Sequence, residues 1–310
     1  MKRHSPALLA PLCIVLALLC TPSLAETPPA GPVQVTDASG QNIRLEAPAR
    51  RIVSIAPHVS ELLLAAGAAG QLVGVDEFSA SLPGLQSRQL VQVGQYARLD
   101  LERLLALQPD LVIGWQSGNR MPQLQHIRQF GIPLYLDEIR RIEDIAESVE
   151  SFGQLAGQPQ ASTTAEELRQ RVAALRAREY PPPRLRVFFQ IWDQPLMTIN
   201  GEHVISQAIE LCGGENIFAG LPVIAPTVSA ESVLAARPDL IVVSSGDPAA
   251  DASALEAQDW QALSQARRVS LTPSDILQRP SPRFIEGVES LCAVFDEARQ
   301  AAAGSDGFAR

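Results

Sequence analysis

Lysine is almost absent from this sequence of 310 residues, because Lys2 is the only one. Beyond the N-terminus the chain therefore has no amine for Schiff-base chemistry and none for a Walker-type phosphate loop. Catalytic motifs are lacking as well. The histidines beyond residue 25, His58, His126 and His203, form no HExxH sequence and have no zinc-ligand spacing, and GxSxG and GxGxxG are absent. These absences give little support to an enzyme.

Long apolar segments are also scarce, and the one at the N-terminus is typical of a secretory signal peptide. Two basic residues precede an apolar run from Ala7 to Leu19, and Ser23-Leu24-Ala25 supplies the small residues of a cleavage site. The run is shorter than the ~20 apolar residues that a spanning helix needs. We therefore predict a signal peptide over residues 1–25, cleavage after Ala25 and a periplasmic protein. A lipoprotein anchor at Cys20 is the alternative, although the preceding leucine is bulky for its processing site.

Cleavage would leave an acidic chain with few cysteines. Removing Lys2 and Arg3 from 25 basic residues leaves 23 against 34 acidic ones, a net charge of −11. An acidic surface argues against nucleic acid and anionic lipid as partners. Of the four cysteines, Cys212 and Cys292 would remain, and in an oxidising compartment such a pair often bridges. We predict a disulfide between them, with two buried free thiols as the alternative.

An internal repeat indicates two related halves. The stretch "LERLLALQPDLVIGWQSGN" (Leu101 to Asn119) aligns with "AESVLAARPDLIVVSSGD" (Ala230 to Asp247). Each begins with an acidic residue in the first turn of a short amphipathic helix, Glu102 or Glu231, and continues with Pro-Asp, an apolar strand and a glycine turn. Because proline stops a helix, a strand follows directly in both copies.

Continuous apolar strands that alternate with helices are typical of parallel sheets covered on both faces. The sequence therefore predicts an α/β protein with two Rossmann-like lobes. Between them, "QASTTAEELRQRVAALRAREYPPP" predicts one connecting helix of roughly 30 Å, starting at Ser162 to Thr164 and ended by Pro181 to Pro183. A hairpin turning at Ser39-Gly40 is assigned to the edge of the first lobe. The predicted division is an N-terminal lobe over 26–157, the connecting helix over 158–180 and a C-terminal lobe over 181–310.

Polar and aromatic residues follow the predicted strands. In open parallel sheets, ligands bind in the crevice beyond the carboxyl ends of the strands. Each such residue alone fits ordinary loop packing, but together they predict a cleft between the lobes. Trp115 is the clearest of them, because its counterpart strand in the repeat ends without tryptophan and evidently folds without one. The positions are Pro57-His58, Phe78, Tyr96, Trp115, Trp192 to Met197, and Asp275 to Arg279.

Four stretches resemble a known family. "RIVSIAPHVSELLLAAGA", "LDLERLLALQPDLVIGWQSGN", "ELCGGENIF" and "RPSPRFIEGVE" resemble the periplasmic cobalamin-binding proteins of ABC importers. The wider group includes siderophore- and haem-binding proteins, with which "VTDASGQ" is shared. The resemblance covers essentially the whole mature chain. It implies a monomer without a cofactor of its own, which holds a corrinoid between its lobes and delivers it to a permease dimer at the inner membrane.

The resemblance also implies roles for individual residues. Phe78 stands where the family often has tyrosine, Tyr96 where it has tryptophan, and Ala225 where an aromatic residue is frequent. The aromatic wall is thus kept on one side of the cleft and reduced on the other. The implied ligand-binding residues are Phe78, Tyr96 and Trp115 from the N-terminal lobe, and Met197, Asp275 and Arg279 from the C-terminal lobe.

Alternatives remain open at this stage. Glu102 and Glu231 either stabilise their helix dipoles, worth ~0.3–1 kcal/mol, or dock onto the permease as the family implies. His58 is either a polar residue at the cleft edge or a metal ligand, with Tyr96 as its only obvious partner. The same scaffold could carry a ferric siderophore or haem, and a secreted α/β enzyme is a further rival.

Overall fold

The computed structural model describes residues 31–95, 98–243, 267–270 and 274–306. The predicted signal peptide and Tyr96 lie outside these residues, as does the glycine turn of the second repeat copy. Within the described ranges, no helix has both the length and the apolar composition needed to cross a membrane.

The predicted hairpin opens the described chain. Strands β1 (Val33–Thr36) and β2 (Asn42–Leu45) pair antiparallel. Gly40 in the turn has a φ of +81°, a left-handed conformation that glycine adopts without steric cost. The Asp37 carboxylate accepts hydrogen bonds from two amides of the turn at 2.9 Å and from the Leu136 amide at 3.2 Å. This carboxylate thereby ties the hairpin to the edge of the first sheet.

The N-terminal half contains a five-stranded parallel sheet. Its strands are β3 (Ile52–Ser54), β4 (Leu72–Val75), β5 (Val91–Gln92), β8 (Leu111–Trp115) and β9 (Leu134–Asp137). A separate short pair, β6 (Gly94–Gln95) and β7 (Arg98–Leu99), is antiparallel. The parallel order is β5-β4-β3-β8-β9. The helices are α1 (Pro57–Ala65), α2 (Leu101–Ala106), α3 (Met121–Gln129) and α4 (Asp144–Ala156). Strands β3 and β9 are buried at every residue, as expected when helices cover both faces of a sheet.

The C-terminal half contains a second parallel sheet. Its strands are β10 (Leu185–Gln190), β11 (Gly214–Asn216), β12 (Leu240–Val243) and β13 (Arg267–Ser270), in the order β11-β10-β12-β13. The helices are α6 (Val204–Leu211), α7 (Ala230–Ala236) and α8 (Pro282–Asp306). Two separate parallel sheets, one from each half of the sequence, confirm the prediction of two α/β lobes.

The connecting helix α5 (Ala161–Arg176) is shorter than expected. It begins before the serine and threonines that were predicted to start it, and no side chain caps its N-terminus. It ends before the prolines, and the following Tyr180 packs against the Arg299 guanidinium, 4.3 Å from the ring centroid. Its 16 residues span roughly 24 Å. The predicted lobe boundaries at 157/158 and 180/181 stay predictions.

Helix α8 fastens the second half to the connecting helix. Arg171 of α5 donates two hydrogen bonds to Glu289 of α8, at 2.9 and 2.8 Å. One hydrophobic cluster contains buried residues of both sheets together with α4, α5 and α8. Cys212, at the end of α6, is bonded to Cys292 of α8, and both are fully buried. The predicted disulfide is confirmed, and free thiols are excluded for this pair.

The sequence repeat has a repeated hydrogen-bond pattern. The Asp110 carboxylate accepts a hydrogen bond from the Arg51 amide at 2.9 Å, and Asp239 accepts one from the Arg186 amide at 2.8 Å. The Arg51 side chain donates to the carbonyl of Leu107, just after α2, and the Arg186 side chain donates to that of Ala236, at the end of α7. In each copy this helix is the one that precedes the Pro-Asp pair. The residue before each proline has a positive φ, +46° in one copy and +48° in the other. The two Pro-Asp pairs therefore anchor the start of a central strand in the same way in both lobes.

Candidate ligand cleft

The predicted N-terminal wall lies at one edge of the first sheet. Because all five strands are parallel, their carboxyl ends meet at the same edge, where ligands bind in folds of this type. Strand β8 ends at Trp115 and β9 ends at Asp137, and these two residues are register partners. The turn carrying Phe78 follows β4 at this edge, and α1 starts there after β3.

The turn Ser117-Gly118-Asn119, which follows β8, holds Trp115 in place. The Trp115 amide donates to Asn119 Oδ1 at 2.6 Å, and the Asn119 amide group donates to the carbonyl of Ile55 at 3.0 Å. The indole lies over Gly118, where an added Cβ would be 1.8 Å from the ring atom Cε3. Ser117 binds the Glu138 carboxylate through its amide and its hydroxyl, at 2.9 and 3.0 Å. The turn "SGN" thus fixes a partly exposed indole at the sheet edge.

A buried polar pair supports the indole from the other side. The His58 ring meets Trp115 edge-on, with centroids 5.2 Å apart and planes at 82°. Its Nε2 lies 3.4 Å from Asp137 Oδ2, and both side chains are almost fully buried. Ser148 donates to the other Asp137 oxygen at 2.6 Å. His58 therefore supports Trp115 by packing against its ring.

The metal-ligand alternative for His58 gains no support from this geometry. Its Nε2 faces the Asp137 carboxylate, and the possible second ligand, Tyr96, lies outside the described residues. Across the described part of the chain, no group of three or more histidine, cysteine, aspartate or glutamate side chains is arranged to hold a metal ion.

Phe78 lies in a loop that is held by hydrogen bonds to a buried carboxylate. Its side chain is 49% exposed, which makes it available as a wall. The buried Asp76 carboxylate accepts hydrogen bonds from the amides of Phe78 and Ser79, at 3.0 and 3.2 Å, and from the Ser79 hydroxyl. Burial raises the pKa of Asp76, and these hydrogen bonds act in the opposite direction. Ser60 of α1 donates to Ser79 at 2.9 Å, so the loop is connected to α1.

On the C-terminal side, a small hairpin follows β10. Trp192 and Met197 form an isolated antiparallel bridge, and Met197 forms a second bridge with Thr227. Met197 is partly exposed, while Trp192 is 53% exposed and its indole N–H donates to the carbonyl of Gln194 at 3.1 Å. Trp192 was noted from the sequence only as part of this loop, and its exposure makes it an additional candidate for the wall.

Arg279 lies between a short 3-10 helix, Ser274–Gln278, and helix α8. Its Nε is 3.3 Å from Glu61 Oε1, and the same oxygen is 3.4 Å from Arg283 Nη1. Glu61 belongs to α1 of the N-terminal lobe, so this cluster joins the two lobes. Sequence reasoning did not find Glu61 or Arg283; the available signal was a carboxylate in the otherwise apolar stretch "ELLLAAGA".

The structure thus brings together part of the predicted set of cleft residues. Trp115, His58 and Glu61 follow one another across the N-terminal edge, and Glu61 holds Arg279 of the C-terminal lobe. Phe78 lies at the same sheet edge, and Met197 lies in the loop after β10. Asp275 falls within the 3-10 helix Ser274–Gln278, and Tyr96 lies outside the described residues. The ligand-binding roles stay predictions.

Glu102 and Glu231 have equivalent local settings. Each is exposed and stands in the first turn of its helix, α2 or α7. Asp100 caps the first helix by accepting from the Arg103 amide at 3.0 Å, and Ser229 caps the second by accepting from the Ser232 amide at 3.2 Å. A hydrogen bond from Ser229 lowers the pKa of Glu231. Both carboxylates are therefore exposed at matching places in the two lobes.

A separate groove of about 510 Å³ lies where α5 and α6 meet the loop after β9. Four arginines line it, and three of them form ion pairs: Arg141 with Asp144, Arg176 with Glu143, and Arg178 with Asp296. None of the predicted ligand-binding residues lines it.

Residues 52–273 match the family model described as periplasmic binding protein. A vitamin B12-binding protein from Vibrio cholerae is 36% identical over 249 residues, covering 79% of this chain and 88% of that protein. The one from Vibrio parahaemolyticus is 32% identical over 254 residues, covering 82% and 92%.

Solved structures of periplasmic binding proteins are also similar to this chain. The crystal structure of the periplasmic vitamin B12 binding protein of Vibrio cholerae aligns with a TM-score of 0.72 and 32% identity, covering 81% of this chain and 98% of that one. A periplasmic haem-binding protein from Roseiflexus aligns with a TM-score of 0.69 and 26% identity, covering 80% and 98%. The chain belongs to the periplasmic binding protein family.

Proposed function

We propose that this protein captures a corrinoid such as cobalamin between its two lobes and delivers it to the permease of an ABC importer. A corrin presents broad apolar faces and a rim of amide groups. The observation that carries the proposal is Trp115, an indole clamped at the carboxyl edge of the first sheet by the "SGN" turn and by His58. The relatives named for vitamin B12 binding support the same ligand class.

The second candidate is a ferric siderophore or haem in the same cleft. Arg279 and Arg283 favour it, since guanidinium groups recognise carboxylates well, and a haem-binding protein is among the structural relatives. The shared carboxylate Glu61 weighs against it, because it already compensates part of that positive charge.

A retention experiment separates these candidates. Purified protein is mixed in turn with cyanocobalamin, cobinamide, haemin and a ferric siderophore, desalted, and inspected for retained colour. Titration calorimetry then ranks the ligands that remain bound. Retention of a corrinoid supports the proposal, whereas retention of haemin or the siderophore alone supports the second candidate. Replacement of Trp115 by alanine should weaken corrinoid binding without unfolding the protein.

Delivery requires export and docking. Family membership places the protein in the periplasm; cleavage after Ala25 is our proposal, and intact-mass measurement of the secreted protein tests it.

Glu102 and Glu231 are proposed to meet the two subunits of the permease, because a two-fold partner fits a surface with an internal repeat. In this role the protein is a monomeric carrier without catalytic activity, and its predicted lobes, 26–157 and 181–310, close on the ligand around the segment 158–180.

A further inference from the structure

A cluster of buried polar side chains lies at the base of the loop that carries Phe78. It consists of one carboxylate and three hydroxyls, all of them fully excluded from solvent: Ser54, Ser60, Asp76 and Ser79. They come from the end of β3, from helix α1 and from the turn after β4. Because burial removes water as an alternative partner, these groups depend on the protein itself for their hydrogen bonds.

The Asp76 carboxylate determines the direction of the hydrogen bonds in this cluster. Its Oδ1 accepts from the amides of Phe78 and Ser79, and its Oδ2 accepts from the Ser79 hydroxyl. A hydroxyl has one hydrogen to donate, so the Ser79 oxygen meets Ser60 as an acceptor, at 2.9 Å. Ser60 also lies 2.7 Å from the Ser54 hydroxyl. Through Ser60, helix α1 is therefore hydrogen-bonded to the loop.

The same end of helix α1 supports Trp115. His58, two residues before Ser60, packs edge-on against the indole. The Asn119 side chain, from the turn after the indole, donates to the carbonyl of Ile55 just before the helix, at 3.0 Å. The start of α1 is thus connected both to the indole and to the loop of the proposed aromatic wall, and a shift of that loop relative to α1 is also a shift relative to the indole.

We propose that Ser60 is a positioning residue for the ligand, because its hydroxyl fixes the loop of Phe78 relative to Trp115. The inference rests on the proposed corrinoid function. Ser60 acts through the two aromatic side chains, since it is itself fully buried. Aromatic side chains that are already fixed lose little conformational entropy when a ligand covers them. Without the Ser60 hydrogen bond the loop has more freedom in the unbound protein, and ordering it on binding lowers the affinity.

A double-mutant cycle separates this role from a general loss of stability. Titration calorimetry gives the cyanocobalamin affinity of Ser60→Ala, of Phe78→Ala and of the double variant. We expect Ser60→Ala to weaken binding about fivefold in the wild-type background, which corresponds to about 1 kcal/mol for one hydrogen bond. In the Phe78→Ala background it should weaken binding less than about twofold, because the side chain that Ser60 positions has been removed.

Ser206→Ala is the matched control. Ser206 is likewise a buried serine in a helix, and its hydroxyl donates to the Asn200 carbonyl at 2.6 Å, so its removal should lower stability and leave the affinity unchanged. Hydrogen exchange of the unliganded proteins is the second measurement. The amides of residues 76–82 should exchange faster in Ser60→Ala than in Ser206→Ala or wild type, because the loop has lost its bond to α1.

Equal weakening in the two backgrounds would assign Ser60 a structural role only, and unchanged affinity or unchanged exchange in Ser60→Ala would also overturn the proposal. If Ser60→Ala fails to fold, Ser79→Ala removes the same hydrogen bond from the loop side, and the same cycle with Phe78→Ala decides. If the wild-type protein binds no corrinoid, the proposed function fails, whereas exchange in the unliganded loop still decides whether Ser60 fixes it.

Discussion

The His58 imidazole and the Trp115 indole meet edge to face, with ring centroids 5.2 Å apart. The imidazole Nε2 lies 3.4 Å from the carboxylate of Asp137, whose backbone is the register partner of Trp115 itself. The indole is therefore fixed by the strand, the turn and the helix together. A fixed aromatic surface loses little conformational entropy when a ligand covers it, which is how rigid walls favour binding.

Gly118→Ala should displace this wall. The new Cβ would lie 1.8 Å from Trp115 Cε3, so the indole has to rotate away. We expect cyanocobalamin affinity to fall roughly tenfold and the free energy of unfolding to fall by about 1–2 kcal/mol. Calorimetric titration and urea unfolding measure the two effects. Gly70→Ala is the control, since nothing lies within 4 Å of its added Cβ; equal affinities in the two variants would contradict a role for the clamped indole.

The repeat singled out Trp115 as a candidate wall residue, whereas no local sequence pattern singled out Glu61. A tryptophan at the end of one copy, but not of the other, indicates a function beyond folding. The pairing of Glu61 with Arg279 joins residues 218 positions apart and depends on how the lobes and α8 pack, which no local pattern encodes. The connecting helix shows the same limit. Its central residues were identified from the sequence, but it ends at Arg176, before the prolines that were expected to stop it.

His203 should make stability depend on pH. It caps helix α6 by accepting from the Ile205 amide through Nδ1 at 3.2 Å, which requires the neutral ring. Burial lowers the pKa of His203 to about 4, below its ordinary value near 6.5. The unfolded state therefore binds a proton first as the pH falls through 6.5, and the folded state loses roughly 2 kcal/mol between pH 7 and pH 4.5 from this group.

His203→Asn keeps a good capping side chain but does not titrate, so we expect that part of the pH dependence to disappear. Urea unfolding at the two pH values measures it, with the exposed His126→Asn as control. An identical loss of stability in wild type and His203→Asn would refute the assignment.

The disulfide should contribute several kcal/mol to stability. It closes a loop with a sequence separation of 80 residues, for which loop entropy gives about 4.5 kcal/mol. Cys212→Ala combined with Cys292→Ala should lower the free energy of unfolding by about 4 kcal/mol, part of it from lost packing. Urea unfolding of this variant is compared with wild type, oxidised and reduced. A difference below about 1 kcal/mol would show that the bridge constrains the unfolded chain little.

Glu102→Ala together with Glu231→Ala should separate transport from ligand binding. Both carboxylates are exposed in the first turns of equivalent helices, so their removal leaves the cleft intact. We expect unchanged calorimetric affinity for cyanocobalamin and at least a roughly tenfold slower uptake into proteoliposomes that contain the importer, because charges at an interface set orientation and association rate. The control removes the same charge from the exposed α5 residues Glu166 and Glu167 and should transport normally. Loss of ligand binding in the first variant would sink the docking role, since it would place these glutamates in the folding or the cleft of the protein.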